Sequence, residues 1–216
     1  MTKIILTRHG HVEGIKPARF RGRTELALTE LGWVQAKVVA ARIAKTWNVA
    51  KVYTSPMGRC VVTGHEIARA CRVASEPIEA LNDLDYGRWQ WRTFDEVRAT
   101  WPELFAIWQT TPHLVRFPQG DSLQDLVART ANALRLVLER HASEAETVVF
   151  VGHDSVNRAL LLQLLDQPLS AYWRIAQEPC AINEIDILDG RICVQRINET
   201  HHLEEFLKEL LVESIA

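Results

Sequence analysis

The 216-residue sequence lacks the features that mark membrane and secreted proteins. No apolar run reaches the roughly 18 to 20 residues that a membrane-spanning helix needs, and residues 1–10 hold only a short apolar run before Arg8. The four cysteines, at positions 60, 71, 180 and 193, lie far apart without a Cys-x-x-Cys pair. We therefore expect a soluble, unprocessed, cytoplasmic protein with reduced thiols and no membrane partner.

A strong excess of one charge is also absent, since the formal net charge is -2 and the pI is near 6.5. No basic stripe with interleaved aromatic residues is present, so we expect no nucleic-acid partner. The balance is nevertheless uneven. Residues 1–60 hold eleven Lys or Arg against three Asp or Glu, or +8, and the remainder holds 14 against 24, or -10. The first part therefore favours phosphate-sized anions, although many of its charges could equally be the solvated face of a helix.

The order of apolar runs predicts an α/β fold. Short runs at residues 4–6, 52–54 and 148–151 are typical of strands buried on both faces of a parallel sheet. Helical patterns begin at Thr29 (apolar positions Leu31, Val34, Val38 and Ala41), at Pro56, at Asp121 or Ser122 (running to His141) and at Asp154 (running to Leu165). With no repeat or linker, we expect one domain over residues 1–216, a three-layer α/β/α sandwich with a mostly parallel central sheet.

Two segments interrupt this alternation. Residues 86–120 hold four of the seven tryptophans, which predicts a small helical, lid-like insertion, although aromatic residues at helical spacing could equally be ordinary core. Asp189-Gly190 predicts a hairpin between residues 182–187 and 192–197, and an amphipathic helix is expected from His202 to Val212. The apolar edge of the hairpin leaves a homodimer open.

Polar clusters follow three of the predicted strands directly: Arg8-His9-Gly10, Ser55 to Arg59, and Gly152-His153-Asp154. Ligands of open α/β sheets bind beyond the carboxyl ends of the strands, so these clusters are expected to converge. The neutral imidazole of His9 would be a good nucleophile toward phosphorus. Arg8 and Arg59 could grip phosphate oxygens, and the N-terminus of the helix at Pro56 could add backbone donors. His153 could donate to the equatorial oxygens of the transition state.

Arg8-His9-Gly10 after an N-terminal strand resembles the signature of the histidine phosphatase superfamily, which has the phosphoglycerate mutase-like fold. Between residues 3 and about 165, further stretches agree with family motifs in order and spacing: Leu28 to Ala36, Ser55 to Thr63, Leu81 to Trp89, Pro118 to Ser122 and Val151 to His153. These ordered motifs together are more specific than the Arg-His-Gly tripeptide alone.

The resemblance implies a hydrolase, a metal-independent phosphomonoesterase that acts on small phosphorylated metabolites through a phosphohistidine intermediate. His9 would carry the phosphoryl group, and Arg8, Arg59 and His153 would form the phosphate pocket. Asp83 would protonate the leaving alcohol. The family implies neither a metal nor an organic cofactor, and its substrates include phosphoglycerate, sugar phosphates, phosphoserine and the nucleotide-loop phosphate of the cobalamin pathway.

The sequence departs from the family pattern at several positions. His11, Val12 and Ile15 stand where the family commonly has Glu, Thr and Asn, so a phosphate contact from that asparagine is absent. Asp83 stands where the mutase branch has glutamate, and its side chain is one methylene shorter. Asp154 is an alternative proton donor, because the acid phosphatase and phytase branch uses a His-Asp pair, but it could equally cap the helix that follows.

Other functions stay open beside the phosphatase. A phosphoglycerate-type mutase would share the intermediate, although the Glu-Thr-x-x-Asn start is missing and the chain is short for that enzyme. A phosphate-binding module without turnover is a second alternative. His9, His11 and His153 could hold a metal as in amidohydrolases, but those barrels are longer and the neighbouring arginines would repel a cation. Arg21 could contact a second anionic group of the substrate, or simply lie in an exposed loop.

Overall fold

The computed structural model describes residues 2–141, 146–204 and 206, and these residues form a mixed sheet with helices on both faces. Six strands lie in this part of the chain: β1 Thr2–Arg8, β2 Val49–Thr54, β3 Ser75–Pro77, β4 Thr147–Gly152, β5 Ile182–Leu188 and β6 Arg191–Glu199. The same residues contain six α-helices: α1 Glu30–Thr46, α2 Gly58–Cys71, α3 Phe94–Thr100, α4 Pro102–Thr110, α5 Leu123–Arg140 and α6 Asp154–Leu164. None of these helices is long and apolar enough to cross a membrane.

The strands lie in the order β3-β2-β4-β1-β5-β6. The first four strands in this order are parallel to one another, and β5 runs antiparallel to both β1 and β6. Ile4 and Leu6 of β1 face one core and Ile5 faces the other, so the apolar run is buried on both faces as predicted. The predicted α/β sandwich is confirmed. The pairing of Arg8 with Gly152 brings the ends of β1 and β4 side by side.

Helix α1 begins where the sequence predicts, because the Thr29 hydroxyl accepts a hydrogen bond from the Gly32 amide at 3.1 Å. Its buried face differs from the predicted stripe and consists of Gly32, Ala36, Val39, Ala40 and Ile43. The stripe that begins at Leu31 was the wrong face, since Leu31 is 45% exposed. Small residues let α1 lie close to its neighbours, and the larger apolar side chains instead line a groove with Leu203 and Phe206.

The starts of the other helices show how side chains compete for the first amides. Helix α2 begins at Gly58, two residues after the predicted Pro56, because the Ser55 hydroxyl accepts from the Met57 amide and closes a turn first. Helix α5 begins after Ser122, as predicted, with a capping box to Asp125. Helix α6 follows His153, which occupies the N-cap position, so the interpretation of Asp154 as the cap was wrong.

The tryptophan-rich segment, residues 86–120, contributes its large rings to the main core. Trp89 and Trp108 are fully buried, and each contacts Phe117 edge-on at about 5 Å between ring centroids. Helices α3 and α4 carry this segment. Trp89 and Trp108 are therefore core residues, and the lid-like role of this segment stays a prediction.

The predicted hairpin is confirmed, because Asp189 and Gly190 join β5 to β6 with φ angles of 50° and 75°. Strand β6 is an edge strand, on which Ile192 is 45% and Ile197 41% exposed. A homodimer through this edge stays a prediction. The predicted C-terminal helix is present at residues 201–204 and 206, and the remainder of the expected range lies outside the described residues.

The loop after β1 is held against α1 by two glycines. A Cβ on Gly32 would lie 2.1 Å from the His11 carbonyl oxygen, and a Cβ on Gly10 would lie 2.4 Å from the Gly32 oxygen. Both contacts involve backbone, so neither neighbour can rotate away. This close approach restrains the position of His9, which directly precedes Gly10 in the chain.

We predict that Gly32→Ala lowers the free energy of unfolding by about 1 to 3 kcal/mol through overpacking. The sign is opposite to the gain of about 1 kcal/mol that Gly→Ala gives in an open helix. Urea denaturation measures the change, with Lys37→Ala on the exposed side of the same helix as a control that changes little. A Gly32→Ala protein as stable as the wild type would contradict the close packing.

Candidate active site

His9 is buried at the carboxyl end of β1, and one of its ring nitrogens is held by a backbone hydrogen bond. Its Nδ1 lies 2.7 Å from the Gly10 carbonyl oxygen. A carbonyl can only accept, so Nδ1 carries the proton and Nε2 carries the lone pair. Burial, and the nearby charges of Arg59 and Arg8, hold the pKa of His9 well below its usual 6.5. The lowered pKa therefore favours the neutral imidazole at physiological pH.

Arg8, next to His9, is a buried guanidinium with unused donors. Its Nη1 donates to the Gln177 carbonyl oxygen at 2.6 Å. Its Nε and Nη2 are buried without a partner among the described residues. Unpaired donors on a buried cation are costly, and an anion bound beside His9 would satisfy them.

Arg59 of α2 is fully buried, and nearly all of its donors are taken. Nη1 donates to Thr24 O at 2.8 Å, and Nη2 donates to Gly22 O at 2.7 Å and to Asp83 Oδ2 at 3.0 Å. Its Nε points at His153 Nδ1 from 3.3 Å. In the absence of a ligand, Arg59 thus holds the loop before α1 and the carboxylate of Asp83.

His153, at the end of β4, lies edge-on to His9 with 5.3 Å between the ring centroids. Its Nε2 is 2.8 Å from the Ser55 hydroxyl, and burial together with Arg59 and Arg8 holds its pKa well below 6.5. The two predicted histidines are therefore adjacent and neutral.

A cavity of about 290 Å³ lies next to this cluster, at the carboxyl ends of the central strands. Its wall includes Arg8, His9, Arg21, Asp83, Asp154 and Ser155. Arg59 and His153 lie one layer deeper, against Asp83. The expectation that backbone donors at the start of α2 face the cavity was wrong, because the Gly58 amide donates to Glu25 Oε2 at 3.3 Å.

The two candidate proton donors have different partners. Asp83 is buried against Arg59 and Ser155, whereas Asp154 pairs with Arg158, whose Nε donates to its Oδ1 at 2.8 Å. Both carboxylates line the cavity, so the structure keeps both candidates open. Arg21 also lines the cavity rather than lying in an exposed loop, and burial next to Arg8 lowers its pKa.

The three residues that depart from the family pattern have separate surroundings. Val12 is fully buried and packs with Leu28 and Ala36. Ile15 lines the cavity, where it offers an apolar surface. His11 Nδ1 is 2.9 Å from the Thr29 hydroxyl. Across residues 2–141, 146–204 and 206, no group of three or more His, Cys, Asp or Glu side chains is arranged to hold a metal ion.

Sequence reasoning missed the polar residues that support this cluster. Ser155 donates to Asp83, and the backbone carbonyl of Gln177 accepts from Arg8. Gln177 lies outside every recognised motif. Ser155 directly follows the Gly-His-Asp cluster, but nothing in the sequence indicates a contact with a residue 72 positions earlier.

Comparisons with known proteins agree with this fold. Residues 4–200 match the family model of the histidine phosphatase superfamily, branch 1. The chain is 32% identical over 209 residues to phosphoserine phosphatase 1 of Hydrogenobacter thermophilus, covering 97% of this chain and 98% of that protein. It is 27% identical over 206 residues to the metal-independent phosphoserine phosphatase of Arabidopsis thaliana, covering 94% and 84%. The solved structure of Bacillus stearothermophilus YhfR superimposes with a TM-score of 0.87 at 27% identity, covering 94% of this chain and all of that one.

The α/β sheet and the buried His-Arg cluster at its carboxyl edge thus define a phosphatase class of enzyme. More specifically, the chain belongs to branch 1 of the histidine phosphatase superfamily. The resemblance seen in the sequence is confirmed, together with the phosphoglycerate mutase-like fold.

The lowered pKa values of His9 and His153 predict acid sensitivity of the fold. Below about pH 6.5 the unfolded chain binds protons at these positions and the folded chain does not, so the free energy of unfolding falls as the pH drops. Each histidine contributes up to about 1.4 kcal/mol per pH unit. Urea denaturation between pH 7.5 and 5.5 should show this loss.

The free energy of unfolding should depend less steeply on pH in His153→Gln, which removes one of the two buried imidazoles. His65→Gln, at an exposed position of α2, is the matched control and should keep the slope of the wild type. Equal slopes in all three proteins would rule out neutral histidines in the folded state.

Proposed function

We propose that this enzyme hydrolyses phosphomonoesters of small metabolites through a phosphohistidine at His9, without a metal or organic cofactor. The observation that carries the proposal is the state of His9, whose Nδ1 proton is held by Gly10 so that the Nε2 lone pair faces the reaction. The unpaired Nε and Nη2 of Arg8 support an anion at the same place. We further propose that the enzyme acts in the cytoplasm, which its four free cysteines support.

In the first step, the Nε2 lone pair of His9 attacks phosphorus and forms the N–P bond while the ester P–O bond breaks. The proton of Asp83 passes to the leaving oxygen, so that a neutral alcohol departs. The Nδ1 hydrogen bond to Gly10 stabilises the positive charge that develops on the ring. Arg8 neutralises the phosphoryl oxygens.

Substrate binding changes the partners of Arg59 in this scheme. An incoming phosphate competes with Asp83 for the guanidinium of Arg59, so that the carboxyl group is released toward the leaving oxygen when substrate is bound. In the second step, water attacks phosphorus, its proton passes to Asp83, and the N–P bond breaks to release inorganic phosphate.

Phosphoserine is the first substrate to test, because the relatives from Hydrogenobacter thermophilus and Arabidopsis thaliana are named for it. A mutase would instead return the phosphoryl group to a second hydroxyl. The apolar Ile15, in place of the family's asparagine, favours hydrolysis. A panel containing phosphoserine, 3-phosphoglycerate and sugar phosphates separates the two, since a mutase converts phosphoglycerate without releasing phosphate.

We predict that the wild type releases phosphate from at least one ester of this panel at the same rate with and without a chelator. During turnover it carries an acid-labile, base-stable phosphoryl group on His9. His9→Ala should lose turnover by at least about a thousandfold, because the imidazole that would form the N–P bond is removed. Turnover by His9→Ala at the wild-type rate would refute the phosphohistidine route, and His65→Ala is the control for loss of an exposed imidazole.

Substitution of the two candidate proton donors should have different kinetic effects. Asp83→Asn should lower kcat on an alkyl phosphate by roughly a hundredfold or more, whereas Asp154→Asn should change mainly KM because Arg158 loses its partner. Steady-state kinetics on phosphoserine, or on the best ester of the panel, decides between them. Full activity in Asp83→Asn with a large loss in Asp154→Asn would move the proton donor to Asp154.

A further inference from the structure

Asp83 is held by two sets of contacts, one on each carboxylate oxygen. Oδ2 accepts from Arg59 Nη2 at 3.0 Å and lies 3.5 Å from His153 Nδ1, so it faces the His-Arg cluster. Oδ1 faces the other way. It accepts from the Leu84 amide at 2.8 Å and from the hydroxyl of Ser155.

Ser155 is placed for this contact by the start of α6. It lies in the first turn of that helix, two residues after His153, and is 2% exposed. Its hydroxyl makes no other hydrogen bond shown among the described residues. Ser155 also lines the cavity, and its hydroxyl links the start of α6 to the carboxylate that would deliver the proton.

We propose that Ser155 is a positioning residue that acts through Asp83, and this inference rests on the proposed phosphatase function. The contacts of Ser155 and Leu84 occupy Oδ1 and leave Oδ2 as the oxygen that carries the transferable proton. When phosphate draws Arg59 away from Oδ2, these two contacts are what keep the carboxyl group from rotating. In the first step the proton leaves Oδ2 for the leaving oxygen, and in the second step Oδ2 receives the proton of the attacking water.

The short side chain at position 83 makes the contact important. An aspartate has one methylene fewer than a glutamate with which to reach the leaving oxygen. A small rotation of its carboxyl group therefore lowers the rate of proton transfer more than it would for a glutamate. When Asp83 is ionised, as it is before it accepts the proton of the attacking water, the hydrogen bond from the Ser155 hydroxyl is a charge-assisted contact of the stronger kind. Ser155 therefore fixes the angle of a group that Arg59 holds only until substrate arrives.

The test uses Ser155→Ala and two substrates that differ in their need for an acid. On an alkyl phosphate such as phosphoserine, kcat should fall roughly ten- to a hundredfold with KM within about threefold. Single-turnover formation of phosphohistidine from 4-nitrophenyl phosphate should fall by less than about threefold, because nitrophenolate leaves without a proton. Ser155→Thr, which keeps the hydroxyl, should recover most of the alkyl phosphate activity.

A double-mutant cycle separates positioning from general damage. In an Asp83→Ala background, Ser155→Ala should cause no further loss, because the residue it positions is gone. Thr130→Val is the matched control, because it removes a fully buried hydroxyl that donates within α5 and accepts from Gln163 of α6, and it should keep wild-type kcat on both substrates. If Ser155→Ala does not fold, Ser155→Cys keeps the volume with a much weaker donor and takes its place.

Two results would overturn the inference while leaving the phosphatase function intact. One is a Ser155→Ala enzyme with wild-type kcat on the alkyl phosphate. The other is an equal loss from Ser155→Ala in the wild-type and Asp83→Ala backgrounds. Failure of the proposed function is distinguishable from both, since it would show as a wild type without phosphatase activity or as a fully active His9→Ala protein.

Discussion

The fully buried guanidinium of Arg59 is the contact on which the rest of the site depends. It joins three distant parts of the chain, namely the loop at Gly22 and Thr24, the carboxylate of Asp83 and the ring of His153. A buried cation is tolerated only when its donors are paired, so the folded chain must bring these acceptors together around it. The contacts that satisfy the donors of Arg59 thus also bring Asp83, the proposed acid, to the site that contains His9, the proposed nucleophile.

The arginines also set the protonation of the histidines. Protonation of an imidazole buried next to a guanidinium is unfavourable for two reasons: the charged ring loses its hydration, and the guanidinium repels it. Arg59 and Arg8 act on both His9 and His153 in this way. The cluster therefore keeps two imidazoles neutral while presenting strong positive charge to an anion. In the proposed function, a phosphate dianion bound beside Arg8 would reduce the repulsion among these groups.

Sequence could predict the parts of the fold that are local. The buried runs of β1 and β4, the Thr29 and Ser122 caps and the Asp189-Gly190 turn each follow from neighbouring residues. Parallel strand ends then place Arg8, His9 and His153 together. Ser155 on Asp83 and Gln177 on Arg8 could not be predicted, because each contact depends on the tertiary path of the chain. The start of α2 was misplaced, since a side-chain turn at Ser55 competes with the helix for Met57.

The departures from the family pattern have a common consequence for the site. Val12 is buried in a small apolar cluster and Ile15 presents carbon to the cavity, so neither offers a polar contact to phosphate. In the proposed mechanism, positive charge from Arg8, and from Arg59 once it leaves Asp83, binds the phosphoryl group. Because Arg59 serves first the acid and then the substrate in that mechanism, the carboxyl group of Asp83 needs a second anchor that substrate does not remove. The hydroxyl of Ser155 and the amide of Leu84 are the groups placed to supply it.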